Sequence, residues 1–451
     1  MSGPDFILPA LVFWSLSIKS ELGKFLNDFK LNSPNNNSKD LPLHIKKNIP
    51  NASRQFIEWL VGFTDSEGSF SINFNKSLTY FNLRFSIELH SGDIDILRKI
   101  AQTLGIGEVI KIKNRDSALF YVTKFDDITK VIIPIFQEFP LQTTKHLDFI
   151  CLSKAALIKL NSEKISKTDL IKTKKLKETM NNSRLIIDKK QEDNLNNKIS
   201  INMWWLLGFV EGEGTFGYKH LVPYFQIAQH KKNLFVLNAI EIYLTNIFKE
   251  STKAISGHKF HVKYTLNKRR GVYSMTVEKI DTNFYYIVPL FESMSFLTRK
   301  GLYYHYWVIS VIMHKFGYYY LPEGKKIALQ ISSVTNKYRY TTNISNKIEL
   351  PDDDSISKLL AQTPLFDVAS GRNHFDLVRE FIISKGGRKG FIVYIYVSGF
   401  EGYKELKGSP FSSYGDGHVA IGLKPGSRVI GRYIDTGKAY KDKYIFSSVA
   451  I

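Results

Sequence analysis

Two acidic pairs, Asp65 with Glu67 and Glu211 with Glu213, each close an apolar run and are followed by glycine, in WLVGFTDSEGSF at 59–70 and WLLGFVEGEGTF at 205–216. One acidic-x-Glu-Gly at a helix end is an ordinary solvated terminus, because short motifs match by chance. Its recurrence at the same offset from the apolar residues, with Phe70 and Phe216 after it, points to one site built by two halves. Gly62 and Ser66, and likewise Gly208 and Gly212, stand four residues apart, so each run carries a stripe of small residues on one helical face. Glycine inside a helix costs about 0.5–1 kcal/mol relative to alanine, which close approach of two helices would offset. Helices crossing along these stripes bring Glu67 and Glu213 together, with Asp65 and Glu211 two residues earlier. Facing carboxylates favour protonation or a bound cation. Oxygen ligands suit Mg²⁺ or Mn²⁺, which keep waters and borrow ligands from phosphate. The chemistry so implied is metal-assisted phosphodiester hydrolysis.

The residues after each motif must position those carboxylates. In the first repeat, Phe56, Leu60 and Phe63 have helical spacing up to Gly68, and strict alternation predicts strands at 70–75 and 83–89. A helix at 93–104 closing on GIG, strands at 109–113 and 118–122, and helices at 126–139 and 145–160 complete the unit. The same order recurs: a helix from 203 to Gly214, strands at 215–219 and 223–229, a helix at 233–248, strands at 261–266 and 272–277, and helices at 281–292 and 300–313. These signs divide the chain into an N-terminal extension (1–50), repeat 1 (51–160), a lysine- and asparagine-rich linker (161–200) with one helix at 167–180, repeat 2 (201–315), a linker region (316–390) and a C-terminal module (391–451).

At LVGFTDSEG (60–68) and LLGFVEGEG (206–214) the chain resembles the LAGLIDADG homing endonucleases. The resemblance implies an α+β fold of two pseudo-symmetric αββαββα repeats, whose saddle-shaped antiparallel sheets grip duplex DNA and whose motif helices form the interface. It implies that Glu67 and Glu213 bind the catalytic metals. It also brings Gln229 of FQIAQH near the active site, where the first repeat has Leu89, so the half-sites need not be equivalent. Aligning QTTKHLDF with LTRKGLYY gives Lys145 and Lys300 as catalytic lysines, with Thr143 and Thr298 as the alternative positions. The C-terminal module resembles the type 1 nuclease-associated modular DNA-binding domain. Its FIVYIYV strand (391–397) precedes two short helices around GLKPG, the second capped by Ser427 and carrying Arg428 and Arg432. Gly415 and Gly417 predict a weak first helix.

The strand faces opposite the apolar residues carry Ser71, Asn73, Asn75, Arg84, Ser86 and Glu88 in one repeat. In and around the other they carry Lys219, Tyr224, Gln226, Lys263, Tyr264 and Arg270. Such a mix reads base edges in a major groove, and basic residues beyond it neutralise phosphates. The net charge of +20, from 62 Lys and Arg against 42 Asp and Glu, agrees with a polyanionic partner. Cys151 is the sole cysteine, which excludes an intramolecular disulfide and a cysteine-based zinc cluster. The apolar stretch at 6–18 contains Pro9 and is shorter than the roughly 20 residues a membrane span needs. It reads as a packed helix or a remnant of an upstream reading frame, and the polar run at 32–40 as a linker. The reading is a monomeric, intron-encoded double-strand DNA endonuclease made inside mitochondria. The alternative is an RNA maturase that assists splicing of its own group I intron, alone or as a second activity. A regulator that binds DNA without cutting is a third.

Overall fold

The computed structural model describes residues 40–181, 195, 199–251, 260–336, 351–384, 393–399 and 402–447; the apolar stretch at 6–18 and most of the polar run at 32–40 lie outside them. The chain forms two compact units, Met1–Gly371 and Arg372–Ile451. In the first, the motif helix α1 (Arg54–Glu67) starts where the Ser53 hydroxyl accepts from Phe56 N, and ends at Gly68. It feeds β1 (Gly68–Phe74) and β2 (Phe81–His90), then α2 (Ile94–Leu104), β3 (Glu108–Ile112), β4 (Ser117–Val122) and α3 (Lys145–Leu160). The linker helix α4 (Lys167–Glu178) opens on a capping box of Ser166 and Asp169.

The second repeat follows the same path through α5 (Met203–Glu213), β5 (Gly214–Lys219), β6 (Val222–His230), α6 (Leu234–Ser251), β7 (Lys263–Asn267), β8 (Val272–Val277) and α7 (Lys300–Lys315). Both sheets are antiparallel, ordered β1-β2-β4-β3 and β5-β6-β8-β7. Their alternation buries one face on aromatic residues, Phe70, Phe85, Phe136 and Phe149 in one half and Phe216, Phe225, Phe291 and Tyr304 in the other, and leaves the opposite face open. Among the described residues, no helix is long and apolar enough to cross a membrane.

Two expectations change. The helices at 126–139 and 281–292 are each broken into successive segments with a π turn, Ile128–Ile132 and Asn283–Ile287, just before Pro134 and Pro289. Proline lacks the N–H that would bond four residues back, and the carbonyl so released at Lys130 accepts from Asn48 Nδ2 at 2.9 Å. The second concerns 316–371, expected as part of a linker. Helices α8 (Pro322–Asn336) and α9 (Asp353–Leu360) instead bury Ile327, Ala328, Ile331, Ile356, Leu359 and Leu360 in the core of the first unit. Their apolar residues recur at helical spacing, which a solvated connection does not need.

The second unit begins at Arg372 rather than 391 and includes α10 (His374–Ser384). Strands β9 (Tyr394–Gly399), β10 (Gly402–Glu405) and β11 (Tyr444–Ser447) form an antiparallel sheet ordered β10-β9-β11, with α11 (Tyr414–Ala420) and α12 (Val429–Tyr433) between the last two. Gly417 packs closely on this core: a Cβ there would lie 2.9 Å from Ile430 Cδ1 and 3.0 Å from Val393 Cγ1, two of its four buried apolar residues. Buried His418 joins the helices. Its Nε2 accepts from Ile430 N at 3.0 Å, so the proton lies on Nδ1, which donates to Pro425 O at 3.3 Å.

Candidate active site at the junction of the repeats

Helices α1 and α5 cross along the small-residue stripes. A Cβ on Gly62 would lie 1.9 Å from the Trp205 carbonyl oxygen, one on Gly208 2.0 Å from that of Trp59, and one on Gly212 2.0 Å from Ser66 Oγ. Only glycine permits such approach of backbone to backbone. Just beyond the crossing, half-buried Glu67 and Glu213 end their helices, and a Cβ on Gly212 would lie 3.1 Å from Glu67 Cγ. Burial pushes the Glu213 carboxyl up from its ordinary range; a hydrogen bond with Gln229 opposes this, the Glu67 charge adds to it, and Lys145 and Lys300 pull it down.

Asp65 and Glu211 do not join this pair. Asp65 accepts from Gln142 N at 2.7 Å, Thr143 N at 3.0 Å, Thr143 Oγ1 at 2.6 Å and, across the interface, Trp205 Nε1 at 2.8 Å. Glu211 accepts from Leu297 N at 2.8 Å, Thr298 N at 2.7 Å and Trp59 Nε1 at 3.2 Å. Each buried carboxylate thus fastens the turn leading into its repeat's last helix and receives an indole from the other repeat. Burial raises both carboxyls while these donors hold the charged form. Motif spacing alone gave no sign of these partners; the tryptophan recurring at one offset in both motifs was the available signal.

The fastened turns deliver the lysines. Lys145 Nζ donates to Thr64 O at 3.0 Å and Ser66 O at 2.7 Å; Lys300 Nζ donates to Val210 O, Gly212 O and Gly214 O at 3.0, 2.9 and 2.7 Å. Each ammonium sits at the carbonyl end of a motif helix, where the helix dipole favours a cation. Burial lowers the Lys145 pKa, against the charges of Asp65, Glu67, Glu213 and Asp148. Thr143 and Thr298, the alternative positions, are tied instead to Asp65 and Glu211.

The halves differ beside the carboxylates. Buried Gln229 accepts from Asn233 Nδ2 at 2.9 Å and bonds Glu213, and Asn233 Oδ1 accepts from Thr144 N at 3.1 Å in the other repeat. At the matching places stand apolar Leu89, and Asp93 paired with Arg299 at 4.0 Å. A cavity of about 490 Å³ on this side is lined by Glu67, Glu88, Leu89, His90, Asp93 and Asp116 among others. His90 pairs with Asp116 at 2.9 Å and Glu88 with Arg115 at 2.9 Å. Among the described residues, no group of three or more His, Cys, Asp or Glu is arranged to hold a metal. Two facing carboxylates with only oxygen donors fit a hard cation that takes its other ligands from water and phosphate.

The sheet residues proposed to meet DNA are mostly on the open faces. Ser71 pairs with Arg84 and Ser69 with Ser86; the Arg84 guanidinium lies 4.7 Å over the Tyr121 ring, and Asn73 is exposed. Asn75 is spent on the hairpin, its Oδ1 accepting from Thr79 N and Tyr80 N and its Nδ2 donating to Ser77 and Thr79. In the second repeat Lys219 is exposed, Tyr224 lies across Gly217, and Gln226 Nε2 donates to Thr276 Oγ1 at 3.1 Å. Lys263 pairs with Glu278 at 3.1 Å and Arg270 is exposed in the β7–β8 turn. Tyr264 alternates to the helix side, its hydroxyl donating to Leu237 O at 3.3 Å. Arg428 and Arg432 are exposed on the second unit.

The family model described as LAGLIDADG endonuclease matches residues 60–156 and 206–311. The uncharacterized mitochondrial protein RF1 of Saccharomyces cerevisiae is 25% identical over 416 residues, covering 88% of this chain and 82% of that protein. The probable intron-encoded endonuclease Cox1-I1b of Schizosaccharomyces pombe is 34% identical over 169 residues, covering 36% of this chain and 41% of its own length. The solved structure of I-SmaMI bound to uncleaved DNA target in the presence of calcium ions superposes with a TM-score of 0.52 at 22% identity, covering 62% of this chain and 99% of that one. That likeness concerns the fold.

Proposed function

Since the two repeats belong to the LAGLIDADG endonuclease family, we propose that this chain is a site-specific, divalent-metal-dependent endonuclease that hydrolyses both strands of duplex DNA. The observation that carries the reading is the junction itself: Glu67 and Glu213 at the ends of two crossing helices, each with a lysine held beside it. Glu67 and Glu213 are the residues to hold Mg²⁺ or Mn²⁺, which when bound supplies charge neutralisation at the scissile phosphate and an acidified water. Lys145 and Lys300 add positive charge where the phosphate gains negative charge. Gln229 orients Glu213 on one side, and Leu89 leaves the other side without that hydrogen bond. The open sheet faces read base edges, with Arg84, Lys219 and Arg270 at phosphates or bases, and Arg428 and Arg432 of the second unit extend the contact.

The DNA-facing geometry of one chain with two repeats supports action as a monomer. Relatives named as mitochondrial or intron-encoded support an organellar origin and a role in intron mobility. The test selects cleaved sites from a random duplex library in Mg²⁺, then repeats cleavage with Glu67→Gln and Glu213→Gln. Loss of cutting with retained binding is expected; undiminished cutting by both variants removes the assigned site. Splicing help that survives both substitutions would mark a maturase activity in addition.

A further inference from the structure

The open faces of the two sheets differ in chemistry away from the junction. In the first repeat, Ile110 on β3 stands directly opposite Leu119 on β4, and Ile112 stands opposite Ser117 one row further in. That inner row continues to His90, and His90 and Ser117 line the same cavity as Glu67, so the apolar group faces the inner part of the sheet. Its neighbours on this face are polar: Glu88 lies beside Leu119, and Ser86 and Glu108 flank Tyr121. Val109, on the opposite face, packs on the core, whereas Ile110, Ile112 and Leu119 are not among the residues packed there, and Ile110 is 42% exposed.

One exposed apolar side chain is ordinary. A cross-strand pair extended by a third side chain on a polar face is a patch, and patches of this kind mark recognition. Pseudo-symmetry supplies the comparison. Phe85 opposite Val122 matches Phe225 opposite Val277, which aligns Ile110, Leu119 and Ile112 with Thr265, Ser274 and Asn267. The same three positions are therefore hydrogen-bonding in one half and apolar in the other.

We propose, resting on the endonuclease reading, that Ile110, Leu119 and Ile112 read thymine through its 5-methyl group in the half-site bound by the first repeat. In the major groove thymine alone presents a methyl group, and aliphatic contact with it is a recognised readout. Cytosine at the same place lacks the methyl and gives up the aliphatic contact with these three side chains. The second repeat meets the equivalent base pairs with Thr265, Ser274 and Asn267, which offer hydrogen bonds in place of three aliphatic side chains.

The experiment uses the full chain and a duplex selected by cleavage, with thymines replaced by deoxyuridine in one half-site at a time and binding measured in Ca²⁺. The wild-type chain is expected to bind about fourfold more weakly for each contacted methyl removed, the effect of one buried methyl-sized group, and more strongly so in the half-site bound by the first repeat than in the other. The Ile110→Ser, Leu119→Ser double variant, altered at positions outside the core, should lose that discrimination in the same half-site. Equal affinity for deoxyuridine and thymidine duplexes, or discrimination that persists in the variant, overturns the proposal while a selected and cut target leaves the endonuclease reading intact. Failure to bind any duplex overturns both.

Discussion

Gly62→Ala tests the helix crossing on which the site depends. The added Cβ would stand 1.9 Å from Trp205 O, against a floor near 3.0 Å for real Cβ contacts, so α1 and α5 must part locally by about 1.1 Å. The obstacle is the backbone of the facing helix, which cannot rotate aside. Overpacking of this kind costs about 1–3 kcal/mol. The same shift stretches the 2.8 Å bond from Trp205 Nε1 to buried Asp65 beyond hydrogen-bond range, a further loss of about 1.5–3 kcal/mol for a charged acceptor. Alanine returns about 1 kcal/mol of helix propensity. The net expectation is a destabilisation of roughly 1.5–5 kcal/mol. Urea unfolding followed by tryptophan fluorescence measures it without interference from the second unit, because all five tryptophans precede Arg372. A variant at least as stable as the wild type, gaining only its propensity, would refute the crossing and with it the meeting of Glu67 and Glu213.

Trp59→Phe and Trp205→Phe keep a ring but remove one donor each from Glu211 and Asp65; each should lose about 1.5–3 kcal/mol in the same unfolding assay, and unchanged midpoints would deny the crossed bonds. Lys145→Met and Lys300→Met should slow single-turnover cleavage by about 10²-fold with little change in duplex affinity, whereas equal rates would confine the lysines to helix capping. Gln229→Leu should make nicked plasmid accumulate, and Leu89→Gln should shorten the life of the nicked form; identical time courses would show that the difference beside the carboxylates does not reach the chemistry. Burial raises the carboxyls of Asp65, Glu211 and Glu213, so the folded metal-free chain keeps protons that the unfolded chain has already released. Its stability should therefore fall as pH climbs from the ordinary carboxyl range through the raised values. Calorimetry should show Mg²⁺ binding weakening as pH drops through the same interval; affinity flat across it would exclude Glu213 as a ligand.

The motif helices, both sheets and the linker helix were legible because their evidence is local: apolar residues repeat every three to four or every two positions, and Ser53, Ser166 and Asn202 cap helix starts. The contrast of Gln229 with Leu89 was legible because duplication supplies its own comparison. The anchoring of Asp65 and Glu211 was not, since their partners at Gln142, Thr143, Leu297 and Thr298 lie far along the chain and donate largely through backbone N–H groups that every sequence shares. Asn75 carried the right residue type on the right strand parity, but the turn takes its amide before DNA can. Tyr264 stood next to Lys263 in sequence, and adjacent strand residues face opposite ways. The folding back of α8 and α9 was hidden by the polar run between them, which draws the eye to a linker.

The crossed bonds from Trp205 to Asp65 and from Trp59 to Glu211 bear on inheritance as well as on stability. Each half carries a lock whose key is held by its sibling, so the copies are free to diverge on their outward faces while the junction stays a matched set. A chimera joining one half to that of a relative inherits a working centre only where the incoming half brings its indole to the same spot. Whole halves, rather than single junction residues, are the natural units of exchange.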